Sequence, residues 1–500
     1  MKFYRTNLIF AALLFVQTLV AQASWIRDSL DIYIARSMKT EQVPGLAIAV
    51  VQDGKVVLQR TYGVLEAGKT EAVDANTLFM IGSNTKAYTG TAIALLEQEG
   101  KLTLDDKVRK WLPKFQLHDA CATSMVTLRD LLCHRIGMRT FQGDFTFWGS
   151  SISREEVMEK MAALEPAFDF RTRFGYCNSA FLTAGQVIPA ATGQTWEQVV
   201  RARIFKPLKM DRALALSAEL PSASNLAKPH ALYDQRLQQL SLPTIDNLAP
   251  AGSISLSVSD MTHWLLMQMD TGRYGGVQVL PKSVILKTWD MNTVVNPRNS
   301  YGYGLGWFIA YPEGKKMLDH TGGVDGFLSA SAFLPELRLG VIVLTNSDNN
   351  SLYASLRDQL LQVYRNQPFS NKIAEATAHW QENEKQEVAR IAQLRASVAQ
   401  NKAQTPSNLD VFTGNYSNPV YGDIKVALEK GFLRVYLSHH PRGTATLEYM
   451  GEDNFLCTFG TPTLGIQPMV FKRDAKGKVK GLTLKVNDFI EYGAYDFTRK

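Results

Sequence analysis

Apolar residues run through Gly45-Leu46-Ala47-Ile48-Ala49-Val50-Val51 and return in Val56-Val57-Leu58, with Asp53-Gly54 between the two runs. Two such runs joined by Asp-Gly predict a β-hairpin, because that turn needs positive φ at its central positions. A short helix is expected before it, over residues 25–38. Further on, Ala92, Ile93, Leu95 and Leu96 form an apolar stripe at helical spacing that ends at Gly100. From residue 83 to about 290 the pattern is mostly helical or loop. Strand patterns return at 304–310, 317–320, 329–334 and 341–345, followed by a helix over 351–364. Strands at both ends with helices between them predict an α+β fold: one antiparallel sheet flanked by helices, plus a helical lobe.

The pattern changes again after Pro368. Residues 367–407 are charged, rich in Ala and Gln and helical in composition, and read as a linker helix, with dimerisation through it as the alternative. From Asp410 onward turn residues punctuate short β-rich runs at 424–428, 432–437, 446–450, 455–458, 469–473, 481–486 and 491–498. Regularly spaced short strands predict a small all-β barrel or sandwich. The expected organisation is therefore 1–23, 24–366, 367–407 and 408–500. The last segment carries no cluster of catalytic residue types, so its expected role is packing or limiting access.

Residues 1–23 stand apart: Lys2 and Arg5 precede an apolar run from Leu8 to Val20, and Ala21-Gln22-Ala23 has the small-x-small form of a cleavage site. That pattern predicts a secretory signal peptide and hence a periplasmic or secreted protein. The formal charge of +7 includes Lys2 and Arg5, and the basic residues are dispersed among acidic ones. No nucleic-acid partner is implied, whereas anionic cell-envelope material such as peptidoglycan fragments is a candidate partner. Oligomeric state is open at this stage. Cys121, Cys133, Cys177 and Cys457 lack metal-ligand spacing. Export permits a disulfide, with Cys121 and Cys133 the pair nearest in sequence. Free buried thiols are expected instead, because a chain of 500 residues does not need stapling. No metal or cofactor is expected; His118 and the pair His439-His440 read as surface histidines without other ligands.

Candidate chemistry centres on Ser83 and Lys86. Three residues apart on one helix face, a hydroxyl and an amine can share a hydrogen bond, and a serine becomes nucleophilic only when a base takes its proton. Ser83 is expected at a helix N-terminus, which favours a developing oxyanion. The chain has no Gly-x-Ser-x-Gly elbow, which argues against an α/β-hydrolase.

Gly82-Ser83-Asn84-Thr85-Lys86, Tyr176-Cys177-Asn178 and His320-Thr321-Gly322-Gly323 resemble the three motifs of the class C β-lactamase and D-alanyl-D-alanine carboxypeptidase family of penicillin-binding-protein-like serine hydrolases. The segments 127–134, 204–210 and 301–307 are also similar to that family's text, with Lys209 replacing a usual glycine. The likeness extends over residues 25–365, and the terminal barrel resembles one appended to some members. It implies a hydrolase that cleaves an ester or amide of a small molecule or peptide, including a D-amino-acid peptide or a β-lactam, through an acyl-Ser83 intermediate. The alternative is a penicillin-binding sensor or scaffold that is acylated without efficient turnover.

The resemblance assigns Ser83, Lys86 and Tyr176 to catalysis, and Asn178, His320, Thr321, Gly322 and Gly323 to substrate binding. The backbone N–H groups of Ser83 and Gly323 would form the oxyanion hole. Either Tyr176 or neutral Lys86 would take the serine proton, with Lys86 and His320 as cations available to stabilise a phenolate. Asn178 would orient Lys86, and His134 is expected to be structural. Best-known members carry Lys-Thr-Gly where this chain has His320-Thr321-Gly322. A histidine titrating near ~6.5 predicts weak, pH-dependent recognition of carboxylates, which His320→Lys would improve.

Overall fold

The computed structural model describes residues 25, 26 and 28–500. The signal segment expected over 1–23 lies outside the described residues. After a helix α1 (Leu30–Thr40), Asp53 (φ 51°) and Gly54 (φ 77°) reverse the chain between β1 (Gly45–Gln52) and β2 (Lys55–Gly63). The other sheet strands come later: β3 (Thr293–Asn296), β4 (Tyr301–Tyr303), β5 (Phe308–Ala310), β6 (Met317–Val324), β7 (Phe327–Leu334) and β8 (Leu339–Thr345). They form one antiparallel sheet in the order β2-β1-β8-β7-β6-β5-β4-β3.

The unbroken apolar run of β1 follows from its place inside the sheet, since a strand covered on both faces needs apolar residues at every position. Leu46, Ile48 and Val50 pack with Leu30 and Ile34 of α1 and with Leu352, Leu356 and Leu360 of a helix near the end of the domain. Ala47, Ala49 and Val51 join the larger core on the opposite face, shared with the helical lobe. The period of two thus sorts one strand into two cores.

The lobe is built around α2 (Thr85–Gln98) and α3 (Asn178–Thr192), with α4 (Val258–Met269) against the sheet; α5 (Leu352–Tyr364) covers the other face. Of the strand expected over 304–310 only its end, β5, forms; residues 304–307, with Gly306 at φ 94°, turn the chain between β5 and the preceding β4. Strand β6 runs four residues past its expected end, through the third motif.

The helix expected between the domains, α6 (Lys372–Asn401), lies along both of them. Trp380 Nε1 donates to Asn349 Oδ1 at 3.0 Å, and Asn401 Nδ2 donates to the Met450 carbonyl at 2.9 Å. Its Ile391 packs with Leu456 and Ile466, so its apolar positions are used within the chain.

Eight strands close the terminal barrel: β9 (Gly414–Asn418), β10 (Gly422–Glu429), β11 (Phe432–Leu437), β12 (Ala445–Gly451), β13 (Asn454–Phe459), β14 (Ile466–Arg473), β15 (Val479–Lys485) and β16 (Ala494–Arg499). The pairing of Tyr416 with Arg499 completes the ring. Strand β9 was not expected, because its Gly and Asn residues hide the single buried Tyr416. Phe412, Tyr416, Phe455, Met469 and Phe471 fill the interior, as eight strands leave room for side chains and little more.

Candidate active site

Ser83 sits in a turn of 3₁₀ helix, Gly82–Asn84, immediately before α2. Buried Asn84 ties that turn to the sheet: its Nδ2 donates to Ser329 Oγ at 2.8 Å, and Ser331 Oγ donates to its Oδ1 at 2.6 Å. Two glycines let turn and strand meet. A methyl group on Gly322 would lie 1.9 Å from the Ile81 carbonyl oxygen, and one on Gly82 (φ 50°) would lie 2.8 Å from the Gly323 nitrogen. The Gly323 amide therefore abuts the turn that carries the nucleophile, where an oxyanion donor is needed.

Lys86 follows one helical turn below and is fully buried. Its Nζ donates to Ser83 Oγ at 3.1 Å, to Asn178 Oδ1 at 2.7 Å and to the Ala251 carbonyl at 2.8 Å. Burial removes the ammonium's hydration and brings its pKa down to about 7, although the charge of Asp144 opposes the shift. Asn178 is the first residue of α3, which positions its amide between Lys86 and Asp144; its Nδ2 donates to Asp144 Oδ2 at 2.7 Å.

Tyr176, 7 % exposed, lies among aromatic rings. The His134 ring stacks on it at 4.3 Å, Phe141 meets it edge-on at 5.7 Å, and Lys86 Nζ stands 4.7 Å from its ring centre. Burial pushes its phenol above the ordinary range, and the neighbouring Ser83 hydroxyl offsets part of that rise. Its hydroxyl makes no direct hydrogen bond of ordinary geometry. It is thus a protonated group facing the nucleophile, not a phenolate. His134 holds the motif's backbone by accepting the Cys177 N–H at 2.9 Å on Nδ1. Cys177 is a buried thiol whose pKa burial raises to about 11, and all four cysteines are free.

His320 departs from its expected role. It is buried, and burial together with the Lys86 charge brings its pKa down to about 3. A carbonyl can only accept, so Nδ1 carries the proton and donates to Thr321 O at 2.5 Å; Nε2 accepts from the Tyr303 hydroxyl at 3.0 Å. The ring is neutral throughout the working pH range. It supplies no second cation to Tyr176, and no pH-dependent charge for a substrate carboxylate. His440 is also not a surface residue: its Nε2 donates to the Trp148 carbonyl at 2.9 Å and its Nδ1 accepts from Tyr421 at 2.8 Å.

The barrel reaches this site through its 487–493 loop, a contribution the sequence did not signal. Phe489 comes within 3.2 Å of where a methyl group on Gly323 would stand, and it lines a cleft of about 780 Å³ between α6, the barrel and the sheet domain. Tyr492 packs on Phe141 at 5.6 Å, and Phe141 in turn packs on Tyr176. Glu491 accepts from the Gly143 and Phe145 amides at 3.0 Å each. The 141–151 loop is fixed from both sides, with Phe145 stacked on Tyr421 inside the barrel core. Among the described residues there is no cluster of three or more metal-ligating side chains, and no helix is long and apolar enough to cross a membrane.

A nucleophilic serine, a buried amine and a tyrosine on this sheet-and-lobe fold define a serine hydrolase. The Beta-lactamase family profile matches residues 30–365, and the chain belongs to that family. A second profile, a domain of unknown function (DUF3471), matches residues 399–499. The unguisins hydrolase ungD' of Aspergillus campestris is 27% identical over 419 residues, covering 79% of this chain and 76% of that protein. Protein flp of Staphylococcus aureus is 26% identical over 329 residues, covering 64% of this chain and 63% of that protein. The fold is shared with the octameric penicillin-binding protein homologue from Pyrococcus abyssi (TM-score 0.60, 22% identity, 94% of this chain and 99% of that one). It is shared as well with a D-stereospecific amidohydrolase from Streptomyces sp. (TM-score 0.54, 22% identity, 67% of this chain and 98% of that one).

Proposed function

We propose that the protein hydrolyses an amide or ester of a small molecule or peptide through an acyl-Ser83 intermediate, with Lys86 as the base. The observation that carries this reading is a buried amine 3.1 Å from Ser83 Oγ whose pKa lies at about 7. At neutral pH about half of such amines are unprotonated and able to take the serine proton. Tyr176, held as a phenol, passes a proton between Lys86 or Ser83 and the leaving group. The amides of Ser83 and Gly323 receive the oxyanion.

The neutral His320 directs the choice of substrate. With no cation at the third motif, substrates that rely on a free carboxylate there, such as penicillins, are disfavoured relative to uncharged esters, amides and D-amino-acid amides. Of the similar proteins, one is a D-stereospecific amidohydrolase and another a hydrolase of unguisins, which supports hydrolysis and, through the former, amide cleavage. Intact-mass measurement after exposure to a fluorophosphonate, a nitrophenyl ester, a D-aminoacyl anilide and a penicillin tests the reading. The expected result is a fluorophosphonate adduct absent from Ser83→Ala, and turnover of the ester or anilide. A stable penicillin adduct without product release identifies an acylated sensor instead, and an unlabelled wild type overturns both. We also propose export with cleavage after Ala23, on the strength of the residue pattern over 1–23. N-terminal sequencing of the mature protein is expected to begin at Ser24.

A further inference from the structure

Two buried carboxyl groups outside the three sequence motifs stand in line behind Lys86. Asp144 opens a short turn of helix, Asp144–Phe147, and its Oδ2 takes the Asn178 Nδ2–H at 2.7 Å. That bond commits the other end of the amide, Oδ1, to Lys86 Nζ at 2.7 Å. Glu491 of the barrel then brackets Asp144: its two oxygens hold the amides on either side of it, those of Gly143 and Phe145, and one also accepts from the Tyr495 hydroxyl at 2.9 Å. A continuous polar chain runs from the barrel through Asp144 and Asn178 to the amine.

We infer that Asp144 and Glu491 are positioning residues for the Ser83 reaction, through which the terminal barrel shares control of the catalytic amine. This rests on the reading of Ser83 and Lys86 given above. The direction of each electrostatic effect follows from the geometry. The Asp144 carboxylate favours the charged form of Lys86, opposing its burial. Burial and the Glu491 charge both disfavour ionisation of Asp144, so Glu491 weakens the support that Asp144 gives to the ammonium. The groups facing this chain are silent between about pH 5 and 9. Tyr176 and Tyr495 are raised phenols, Cys177 is a thiol, and His134 and His320 are neutral. The Arg139 charge favours ionised Glu491.

The test is kcat/KM against pH with an uncharged nitrophenyl ester for wild type, Asp144→Asn, Glu491→Gln and the double variant. Asp144→Asn can still accept the bond from Asn178 and is expected to move the acid limb down by about one pH unit, because the carboxylate that favours the ammonium is gone. Glu491→Gln is expected to move it up by about half a unit, since Asp144 then ionises more readily. In the double variant the limb coincides with that of Asp144→Asn, because Glu491 acts through Asp144. Limbs that stay in place, or that both shift the same way, overturn the inference. If Glu491→Gln lowers the melting temperature, the isosteric Asp144→Asn arm decides alone. Fluorophosphonate labelling of Ser83 separates the two levels: labelling with unmoved limbs sinks this inference only, and an unlabelled wild type sinks the catalytic reading with it.

Discussion

The region around Lys86 and the region around His320 each bury a nitrogen base without a carboxylate in contact, and the outcomes differ. Removing water disfavours the charged form in both places. The amine starts at 10.5 and falls to about 7, which leaves it a reactive base at neutral pH. The imidazole starts at 6.5 and falls to about 3, which takes it out of acid–base chemistry. The same desolvation therefore makes a catalyst of one and a neutral strand residue of the other. Burial activates a group only when its ordinary pKa lies far enough on the correct side of the working pH. The Lys86 charge contributes to the lowering at His320, so the two regions are also electrostatically linked.

The strongest attack on this contrast is removal of its reactive half. Ser83→Ala is expected to abolish fluorophosphonate labelling and to lower kcat/KM by about a millionfold, and Lys86→Ala to lower it by about a thousandfold or more, in steady-state kinetics. Tyr176→Phe removes a proton carrier but leaves the base, so a fall of about a hundredfold in kcat with little change in KM is expected. On the other side, His320→Lys places an ammonium in a buried site near Lys86. It is expected to cost about 3 kcal/mol in denaturant unfolding at neutral pH, because the new charge has no partner. Improved acylation by carboxylate-bearing substrates in that variant would show that the third motif can open to solvent, against the neutral-strand account. The smallest change is expected from Phe489→Ala. It widens the space beside Gly323 and should lower KM for bulky esters by roughly threefold to tenfold while leaving small esters alone.

Much of this was legible in the chain. Ser83 and Lys86 lie one helical turn apart, and Asn178 begins the helix that follows Tyr176, so local spacing alone brings each set of groups to one end of an element. The apolar run of β1 and the Asp53-Gly54 turn likewise carry their own geometry. Asp144, by contrast, did not stand out. Its role depends on Asn178 and on Glu491, almost 350 positions away in the sequence, and no periodicity couples such positions. His320 misled for a related reason. Its residue type announces a titrating group, whereas its state is set by burial and by the hydroxyl of Tyr303 on another strand. The loss of 304–307 from the expected strand turns on a left-handed glycine, Gly306.

The central claim is that buried Lys86 is the base and that His320 is silent. The rate of Ser83 acylation by an uncharged fluorophosphonate, followed by mass spectrometry across the pH range, tests it most directly. Protonated Lys86 cannot accept the serine proton, so the account predicts a rate that rises with pH through a single transition at about 7 and then levels, with no break from His320 at lower pH. A transition near the ordinary lysine value, or a second one near the ordinary histidine value, would contradict it.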